Sequence, residues 1–372
     1  MEIRSFIVLS ACFALAALAG CAPVLRHSDG VRITGSFDTN DPSRKVDITT
    51  RSTPRIERLA VNDPDPEVRA AAALRVRDQA LLRSIVAGDT STAVRVAALS
   101  RLKDEADIAD VARDNTDQRV RIEALTLVRL PAVLAGIAMR HPDSMTHAAA
   151  AGSLRDQALL EMLAVKQTNT VVCQAAVANL TNQAALFRLA RGHQDAYVRR
   201  MAVQGLESPD RLFDIARSDP DPDVRKTAAE RVAAPADLAA IARGDQDAMV
   251  RWVAARKISD LSVLAGLAQN DADPLVRRQA VLALEDEELL IDIALNDEAE
   301  QVRAAAVGRM PTNAALAKIA TSDSSPAVRA AAAERLDDEG VLIAAALSDG
   351  SESVRAAAVR RVKDEETLAL VA

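Results

Sequence analysis

The side chains in this sequence whose types and spacing could support chemistry are three histidines and a cysteine near the middle of the chain. They are His141, His147, Cys173 and His193. Imidazole and thiolate groups are preferred ligands of zinc and copper. His147 and Cys173 lie 26 residues apart, and His141 and His193 are separated by twice that interval. The spacing predicts either a metal centre built from these side chains or substitutions at fixed positions of a repeated unit.

Val-Arg recurs at an interval of 26 residues, which identifies a tandem repeat. It occupies Val68-Arg69, Val94-Arg95, Val120-Arg121, Val198-Arg199, Val224-Arg225, Val250-Arg251, Val276-Arg277, Val302-Arg303, Val328-Arg329 and Val354-Arg355. Thr146-His147 and Val172-Cys173 fill the two missing places, so twelve units follow one another without insertion or deletion. Units of a tandem repeat pack on their neighbours, so we expect one array rather than several globular domains.

Each unit contains two helical patterns. In the first half, apolar residues such as Leu238, Ile241 and Ala242 follow the i, i+3, i+4 spacing of one helical face. The second half reads Val-Arg-x-x-Ala-x-x-x-Leu, whose apolar residues again share one face. The Ala of this pattern is present in every unit, and a larger residue there is expected to overpack the helix contact. Glu366 to Ala372 supply the first helix of a further half unit.

An acidic residue accompanies the repeated arginine. Asp63 and Arg69 lie six residues apart, and Asp-x4-Val-Arg recurs down the chain. The pattern resembles HEAT and HEAT-like repeats, with leucine-rich-repeat variants as second relatives, over about residues 53–372. The resemblance implies an all-α fold, an α-solenoid of twelve 26-residue two-helix repeats plus a terminal half repeat. It also implies that Asp and Arg pair within and between units as a structural ladder. The ladder residues are Asp63, Arg69, Asp89, Arg95, Asp219, Arg225, Asp245, Arg251, Asp271, Arg277, Asp297, Arg303, Asp323, Arg329, Asp349 and Arg355.

The ladder pattern is interrupted in units three to six. The aspartate position there holds Asn115, His141, Gln167 and His193, and the arginine position of units four and five holds His147 and Cys173. Neighbouring helix pairs stack at roughly 10 Å, so ligands spread over three units would not converge on one tetrahedral ion. The simpler interpretation is that other hydrogen-bonding or small residues fill the ladder positions. A metal-binding or metal-sensing protein that uses His141, His147 and Cys173 stays the alternative.

Every aromatic residue of the repeat array lies in units six to eight: Phe187, Tyr197, Phe213 and Trp252. The position two residues after the repeat Val points about 200° away from it on a helix, and successive units place Arg200, Lys226, Trp252 and Arg278 there. Trp and Arg are enriched at binding hot spots. We therefore predict a partner-binding surface formed by Tyr197, Arg200, Lys226, Trp252 and Arg278. The alternative is a solvated face on which Trp252 folds over its neighbours.

The first twenty residues have the pattern of a targeting segment. An apolar run over residues 6–18 leads into Leu-Ala-Gly-Cys, which ends at Cys21. This motif resembles the bacterial lipobox, which implies a lipoprotein signal peptide over residues 1–20 and acylation of Cys21 as the membrane anchor. Ala22 is not the Asp that marks inner-membrane retention in that family, so the resemblance implies the outer membrane, facing the periplasm. An ordinary secretory signal or a transmembrane anchor is the other interpretation.

Residues 21–52 lack the repeat and are rich in Ser, Thr, Asp, Asn, Gly and Pro, which predicts a flexible tether after the lipidated cysteine. Two short β-prone pieces within it, residues 31–34 and 46–49, could pair with each other. The solenoid is expected from residue 53 to residue 372.

These observations favour a protein–protein interaction scaffold anchored in the bacterial cell envelope, and a structural spacer is the second alternative. The formal net charge of −7 argues against a nucleic-acid partner. The expected partner is a protein or peptide that is acidic where it contacts the basic stripe. No Gly-rich phosphate loop, no triad in a supporting context and no metal-ligand pair at i, i+4 occurs in the sequence. We therefore expect neither an enzyme nor a bound cofactor.

Overall fold

The structure is a computed structural model that describes residues 24–27, 30–34, 45–166, 169–311 and 314–371. The predicted signal peptide and the predicted acylation site Cys21 lie outside these residues. The chain forms two compact units, which meet in sequence between Thr181 and Asn182. Repeats 1 to 5 belong to the first unit, and repeats 6 to 12 with the half repeat belong to the second.

The described part of the repeat array is α-helical, as the 26-residue pattern predicts. Its helices are α1 (Thr53–Asn62), α2 (Pro66–Ala73), α3 (Gln79–Gly88), α4 (Thr92–Leu99), α5 (Glu105–Asp114), α6 (Gln118–Leu127), α7 (Pro131–Arg140), α8 (Ser144–Ser153), α9 (Gln157–Lys166), α10 (Thr170–Ala178), α11 (Gln183–Gly192), α12 (Ala196–Gly205), α13 (Pro209–Ser218), α14 (Pro222–Arg231), α15 (Pro235–Gly244), α16 (Ala248–Ala255), α17 (Leu261–Asn270), α18 (Pro274–Val281), α19 (Glu287–Asn296), α20 (Glu300–Arg309), α21 (Ala314–Ser322), α22 (Pro326–Ala333), α23 (Glu339–Ser348), α24 (Glu352–Val359) and α25 (Glu365–Val371). Odd-numbered helices are the first helix of a repeat, and even-numbered helices are the second. The predicted fold, an α-solenoid of twelve two-helix repeats with a terminal half repeat, is confirmed.

Within each unit, the two helices of a repeat pack on each other, and each repeat packs on the next. Neighbouring second helices approach each other more closely than neighbouring first helices do. The repeat Ala explains this difference, because a methyl side chain lets two helix backbones come close. It is fully buried in all twelve repeats, at Ala72, Ala98, Ala124, Ala150, Ala176, Ala202, Ala228, Ala254, Ala280, Ala306, Ala332 and Ala358.

The helices begin at polar caps and are short. Asp195 and Asp247, for example, accept a hydrogen bond from the backbone N–H of the residue two positions later, at the start of α12 and α16. Proline supplies the first residue of α2, α13, α14 and α18, where no backbone N–H is needed. Helices of seven to ten residues are marginal alone. The array is therefore stabilised mainly by stacking of repeats.

Ahead of the first repeat lies a three-stranded antiparallel sheet, β1 (Val24–His27), β2 (Val31–Thr34) and β3 (Lys45–Ile48). The predicted pairing of the two β-prone pieces is confirmed, because β2 pairs with β3 and Ile33 lies opposite Val46. Strand β1 was not predicted. The flexible tether over residues 21–52 stays a prediction from composition, and the structure adds three strands among the described residues of this segment. Polar and small residues dominate the composition of the segment, but backbone hydrogen bonds between strands do not depend on side-chain polarity.

The sheet packs on the first repeat through β3 and α2. Val31 and Ile48 are buried, and the Arg75 side chain donates a hydrogen bond to the Ile48 carbonyl. Arginines at the same position of later repeats donate to the last carbonyls of the preceding repeat, as Arg231 does to Val203 at 2.8 Å. The third strand therefore occupies the place that a preceding repeat would take and caps the array.

None of the described helices is both long enough and apolar enough to span a bilayer.

Candidate protein-interaction surface

The ladder arginines connect consecutive repeats. Arg225 donates from Nε and Nη2 to the two carboxylate oxygens of Asp245 in the next repeat, at 2.8 and 2.9 Å. Its Nη1 donates to the carbonyl of Asp219 in its own repeat at 2.9 Å. The Asp245 carboxylate thus joins its repeat to the preceding one, and the Asp219 carbonyl holds the Arg225 side chain within its own repeat. The same bidentate geometry occurs in Arg69–Asp89, Arg199–Asp219, Arg251–Asp271, Arg277–Asp297, Arg303–Asp323 and Arg329–Asp349.

Three carboxylates of this ladder, those of Asp89, Asp323 and Asp349, have a lowered pKa. Burial acts to raise the pKa of Asp89 and Asp323, but hydrogen bonds from the paired arginine and from a backbone N–H outweigh it and lower the pKa below its usual value. At Asp349 the hydrogen bond from Arg329 is the largest influence and also lowers the pKa. These three groups stabilise the fold above the unfolded carboxyl pKa, and their contribution is lost as pH falls through the lowered values.

The interruption of the ladder is narrower than the predicted stretch of units three to six. Arg95 still donates to Asn115 Oδ1 at 2.6 Å, because an amide oxygen accepts as a carboxylate does. Arg121 pairs instead with Asp143, the N-cap of α8, at 2.9 Å. In unit six Arg199 has the regular geometry. Among the described repeats, those that carry His147 and Cys173 at this position have no arginine there to donate.

The histidines at the aspartate position take over part of its role. His141 Nδ1 accepts from the Asp143 N–H at 3.1 Å, and His193 Nδ1 accepts from the Asp195 N–H at the same distance. Aspartates at this position accept the same backbone N–H. Within the described residues, no group of three or more His, Cys, Asp or Glu side chains could hold a metal ion. The metal-binding alternative therefore gains no support from the geometry.

His147 is the more unusual substitution, because it is buried at the arginine position. Among the described residues, its Nε2 has no hydrogen-bond partner. Burial is the main cause that lowers the pKa of His147, and the charge of His141 acts in the same direction, while a hydrogen bond with the Ala138 backbone opposes both. A protonated imidazole at this position would have an unpaired buried charge.

We predict that the stability of the protein falls as pH drops from about 6.5 toward 5, because the unfolded chain takes up a proton on His147 before the folded chain does. His147→Gln is expected to flatten this part of the curve, which urea titrations at several pH values followed by circular dichroism would measure. The lowered aspartate pKa values act only at lower pH. Parallel curves for the two proteins between pH 6.5 and 5 would contradict the assignment.

The second helices of repeats 6 to 9 carry the residues predicted to bind a partner, and they pack side by side in the order α12, α14, α16 and α18. We call the outward side chains Tyr197, Arg200, Lys226, Trp252, Arg256 and Arg278 the basic-aromatic surface. Arg256 and Arg278 are exposed, Tyr197 is 42% exposed, and Trp252 and Arg200 are half-buried. Trp252 is half-buried because the Arg256 guanidinium lies over its ring.

Cation–π contacts organise this surface. The Arg200 guanidinium lies 4.7 Å from the centre of the Tyr197 ring, and that of Arg256 lies 4.7 Å from the Trp252 ring. The pairs are three and four residues apart, so each lies on one face of its helix. Lys226 is instead paired with Asp223 at 2.7 Å, which raises the pKa of Lys226 and lowers that of Asp223. The structure thus leaves the charge of the stacked arginines available to a partner.

The other two aromatic residues belong to a different layer. Phe187 lies under Arg211, with 4.9 Å from the guanidinium to the ring centre, and Phe213 lies under Arg217 at 5.4 Å. These residues are on the first helices α11 and α13. The clustering of aromatics in units six to eight therefore includes two separate surfaces, of which the one on the second helices contains Trp252.

Beside Arg278, the surface ends in an open depression of about 400 Å³. Arg278 and Leu282 line one side, Glu300 and Gln301 line another, and Ala304, Ala305 and Ala327 complete it. Ala304 occupies the repeat position that carries Arg278 and Trp252 in the two preceding repeats. The depression exists because the large side chains of the surface stop at repeat 9.

The sequence prediction missed Arg256, Asp223 and the exposed apolar residues that flank the predicted stripe. Met249, Leu275 and Leu282 are each 44–46% exposed. The spacings Met249–Trp252–Arg256 and Leu275–Arg278–Leu282 are both i, i+3, i+7, so each triplet shares one helical face. Applying that spacing from Trp252 and Arg278 would have found these residues from the sequence.

The described structure defines an α-solenoid of two-helix repeats with a basic and aromatic surface on second helices of its second unit. No protein-family model matches the chain, and no curated protein matches it. It is similar, at 14% identity and a TM-score of 0.33, to a chain in a solved structure described as "Kap95p Binding Induces the Switch Loops of RanGDP to adopt the GTP-bound Conformation: Implications for Nuclear Import Complex Assembly Dynamics". The match covers 85% of this chain and 57% of that chain. At this identity and TM-score, the likeness carries no conclusion about function.

Proposed function

We propose that the protein is a lipid-anchored scaffold of the bacterial cell envelope that binds a protein partner through the basic-aromatic surface. The observation that carries the binding proposal is the coincidence, on four consecutive second helices, of stacked arginines, a half-buried tryptophan and exposed apolar side chains. Isolated exposed apolar residues are ordinary, whereas a contiguous set with Trp and Arg has the composition of binding hot spots.

The solenoid fold supports this proposal physically. Adjacent repeats place equivalent positions in rows, so a change of residue type at one position creates an extended surface without a change in the backbone. In repeats 10 to 12 the position of Trp252 carries Ala304, Ala330 and Ala356. Among repeats 6 to 12, this position thus carries a cation or tryptophan in repeats 6 to 9 and alanine in repeats 10 to 12.

The anchoring part rests on the sequence. The lipobox-like motif ending at Cys21 would place acyl chains ahead of the sheet that caps the first repeat. Acyl chains hold a protein at a bilayer surface without a membrane-spanning helix. We propose the periplasmic face of the outer membrane as the location, because Ala22 follows the cysteine.

The test is a photoreactive amino acid at position 252 of the full chain in a Gram-negative envelope. We expect the protein in the membrane fraction, and illumination is expected to yield a specific covalent adduct with one envelope protein, identified by mass spectrometry. Arg278→Ala should weaken the adduct band at least about fivefold, since hot-spot substitutions cost roughly 1–2 kcal/mol or more.

Two controls separate the parts of the proposal. Moving the photoreactive residue to position 356, the equivalent site in repeat 12, is expected to abolish the adduct. Cys21→Ala is expected to shift the protein out of the membrane fraction while its helical content stays the same. Equal adducts from both positions would refute the binding surface, and membrane retention of Cys21→Ala would refute the lipid anchor.

A further inference from the structure

We infer that the basic-aromatic surface binds an extended acidic peptide segment that inserts one apolar side chain into the depression beside Arg278. This inference rests on the proposed function, since it assumes that the same surface binds a protein. It adds the chemical class of the bound segment, its conformation and the position of its anchoring residue.

The charge distribution favours carboxylates in the partner. Arg200 and Arg256 lie over aromatic rings, Arg200 also interacts electrostatically with Asp223, and Arg278 is exposed at the edge of the depression. A guanidinium stacked on a ring keeps its edge N–H groups free to bind a carboxylate. Lys226 is already neutralised by Asp223, so the three arginines supply the charge that selects an acidic segment.

The apolar part of the site lies at one end of the row of arginines. Leu282, Ala304, Ala305 and Ala327 give the depression an apolar lining. Its volume of about 400 Å³ lies within the range of roughly 300–1,000 Å³ common for binding clefts. A Leu or Phe side chain placed there would remove exposed apolar surface on both partners.

The Glu300 carboxylate sets the polarity of the segment. Glu300 lines the depression, and the Ser325 hydroxyl of the next repeat donates to Glu300 Oε2 at 2.5 Å. A second carboxylate beyond the depression would meet this glutamate. The acidic residues of the segment therefore contact repeats 6 to 9, and the apolar anchor follows them at the depression beside Arg278.

The repeat spacing favours an extended segment. Packed helices lie about 8–10 Å apart, and an extended polyproline II segment advances about 3.1 Å per residue with three residues per turn, so every third side chain points to the same side. Every third residue of such a segment meets the next repeat, so about twelve residues reach from Arg200 to Ala304. Carboxylates three residues apart would match the spacing of repeats 6 to 9, whose arginines are Arg200, Arg256 and Arg278.

The probe is a fluorescein-labelled peptide of about twelve residues with Asp at every third position and one Leu near its end, tested with its reversed sequence because either chain direction fits the row. Fluorescence anisotropy with the chain lacking residues 1–21 is expected to show saturable binding by one of the two peptides, which weakens with added salt. A peptide with Lys in place of Asp is expected not to bind. A peptide with a further Asp beyond the Leu should bind more weakly.

Two tryptophan substitutions at one repeat position provide the matched comparison. Ala304→Trp fills the depression and is expected to weaken peptide binding at least about tenfold, whereas Ala356→Trp at the exposed equivalent in repeat 12 leaves it unchanged. Arg278→Ala is expected to weaken binding by a similar factor. Circular dichroism of each variant verifies that the fold is retained.

The result that overturns the inference is distinct from failure of the proposed function. If an envelope protein still forms the adduct at position 252 but neither acidic peptide binds, or Ala304→Trp binds peptide as the unmodified chain does, the acidic-segment assignment is wrong and the scaffold proposal survives. If no adduct forms, the proposed function fails first.

Discussion

Replacing Arg199 with alanine is expected to lower the free energy of unfolding by about 3 kcal/mol, because it leaves a buried carboxylate without its partner. The Arg199–Asp219 pair is the most buried in the ladder, with 9% and 3% of the two side chains exposed. After the substitution, Asp219 keeps one hydrogen bond, from the Asp221 N–H at 2.9 Å. A urea titration followed by circular dichroism measures the loss.

The last arginine of the ladder, Arg355, provides a matched control. Arg355 donates to the Asp349 carbonyl at 2.9 Å, as Arg225 does to the Asp219 carbonyl, but forms no ion pair within the described residues. Arg355→Ala is therefore expected to cost under about 1 kcal/mol. Equal losses for the two variants would show that the backbone hydrogen bond, rather than the bidentate ion pair, supplies the stabilisation.

Ala254→Leu is expected to destabilise the protein by about 3 kcal/mol through overpacking. Ala254 is fully buried on α16, which packs on α14 and α18 through its small residues. Three added carbon atoms have no space between these helices, so the backbone must move apart. The measurement is the shift in the urea midpoint together with hydrogen exchange of amides in α14, α16 and α18.

An exposed alanine of the same repeat distinguishes overpacking from a general effect of leucine. Ala240 lies on the exposed face of α15, where Leu has a helix propensity close to that of Ala. Ala240→Leu should change stability by less than about 0.5 kcal/mol. If Ala254→Leu were equally mild, the close approach of second helices would not depend on the repeat alanine.

The fold could be predicted from the sequence because each unit repeats the same local evidence. A single short helix such as α2 would be ambiguous, but twelve aligned copies fix the apolar face, the buried alanine and the turns together. The sheet before the first repeat has no such repetition. Its strands are four residues long, and β1 follows from pairing with β2 that composition does not indicate.

Other connections between repeats were also missed for a physical reason. The first residue of several first helices accepts a backbone N–H of the next inter-repeat turn, as Gln79 does from Lys103 at 3.0 Å and Gln157 does from Thr181 at 2.7 Å. The first position of the first helix holds Gln or Glu in some repeats and Pro, Thr or Leu in others. The sequence therefore gives only a weak pattern for this contact. Glu105, Gln183 and Glu339 do the same.

The candidate surface was predictable in its position but not in its internal pairing. The row of Arg200, Lys226, Trp252 and Arg278 follows from the repeat alone, since equivalent positions align when repeats stack. Which cation is neutralised depends on rotamers: Lys226 bends toward Asp223, while Arg256 turns over Trp252. The depression beside Arg278 depends on the small side chains of Ala304 and Ala327. A search for functional residue types does not select alanine.

The direction of the ladder bears on how such a chain can lengthen. Where the ladder is regular, each arginine binds the carboxylate of the repeat that follows it, as Arg277 binds Asp297 twenty residues later. The repeat that contains Asp271 and Arg277 therefore carries one half of the contact to its predecessor and one half of the contact to its successor. Duplication of a whole 26-residue segment keeps all of these halves matched. A single inserted residue would turn the following helix by about 100° and separate arginine from aspartate. Duplication of whole repeats therefore keeps the ion pairs, whereas an insertion of any other length within a repeat breaks them. This difference is consistent with twelve repeats of identical length.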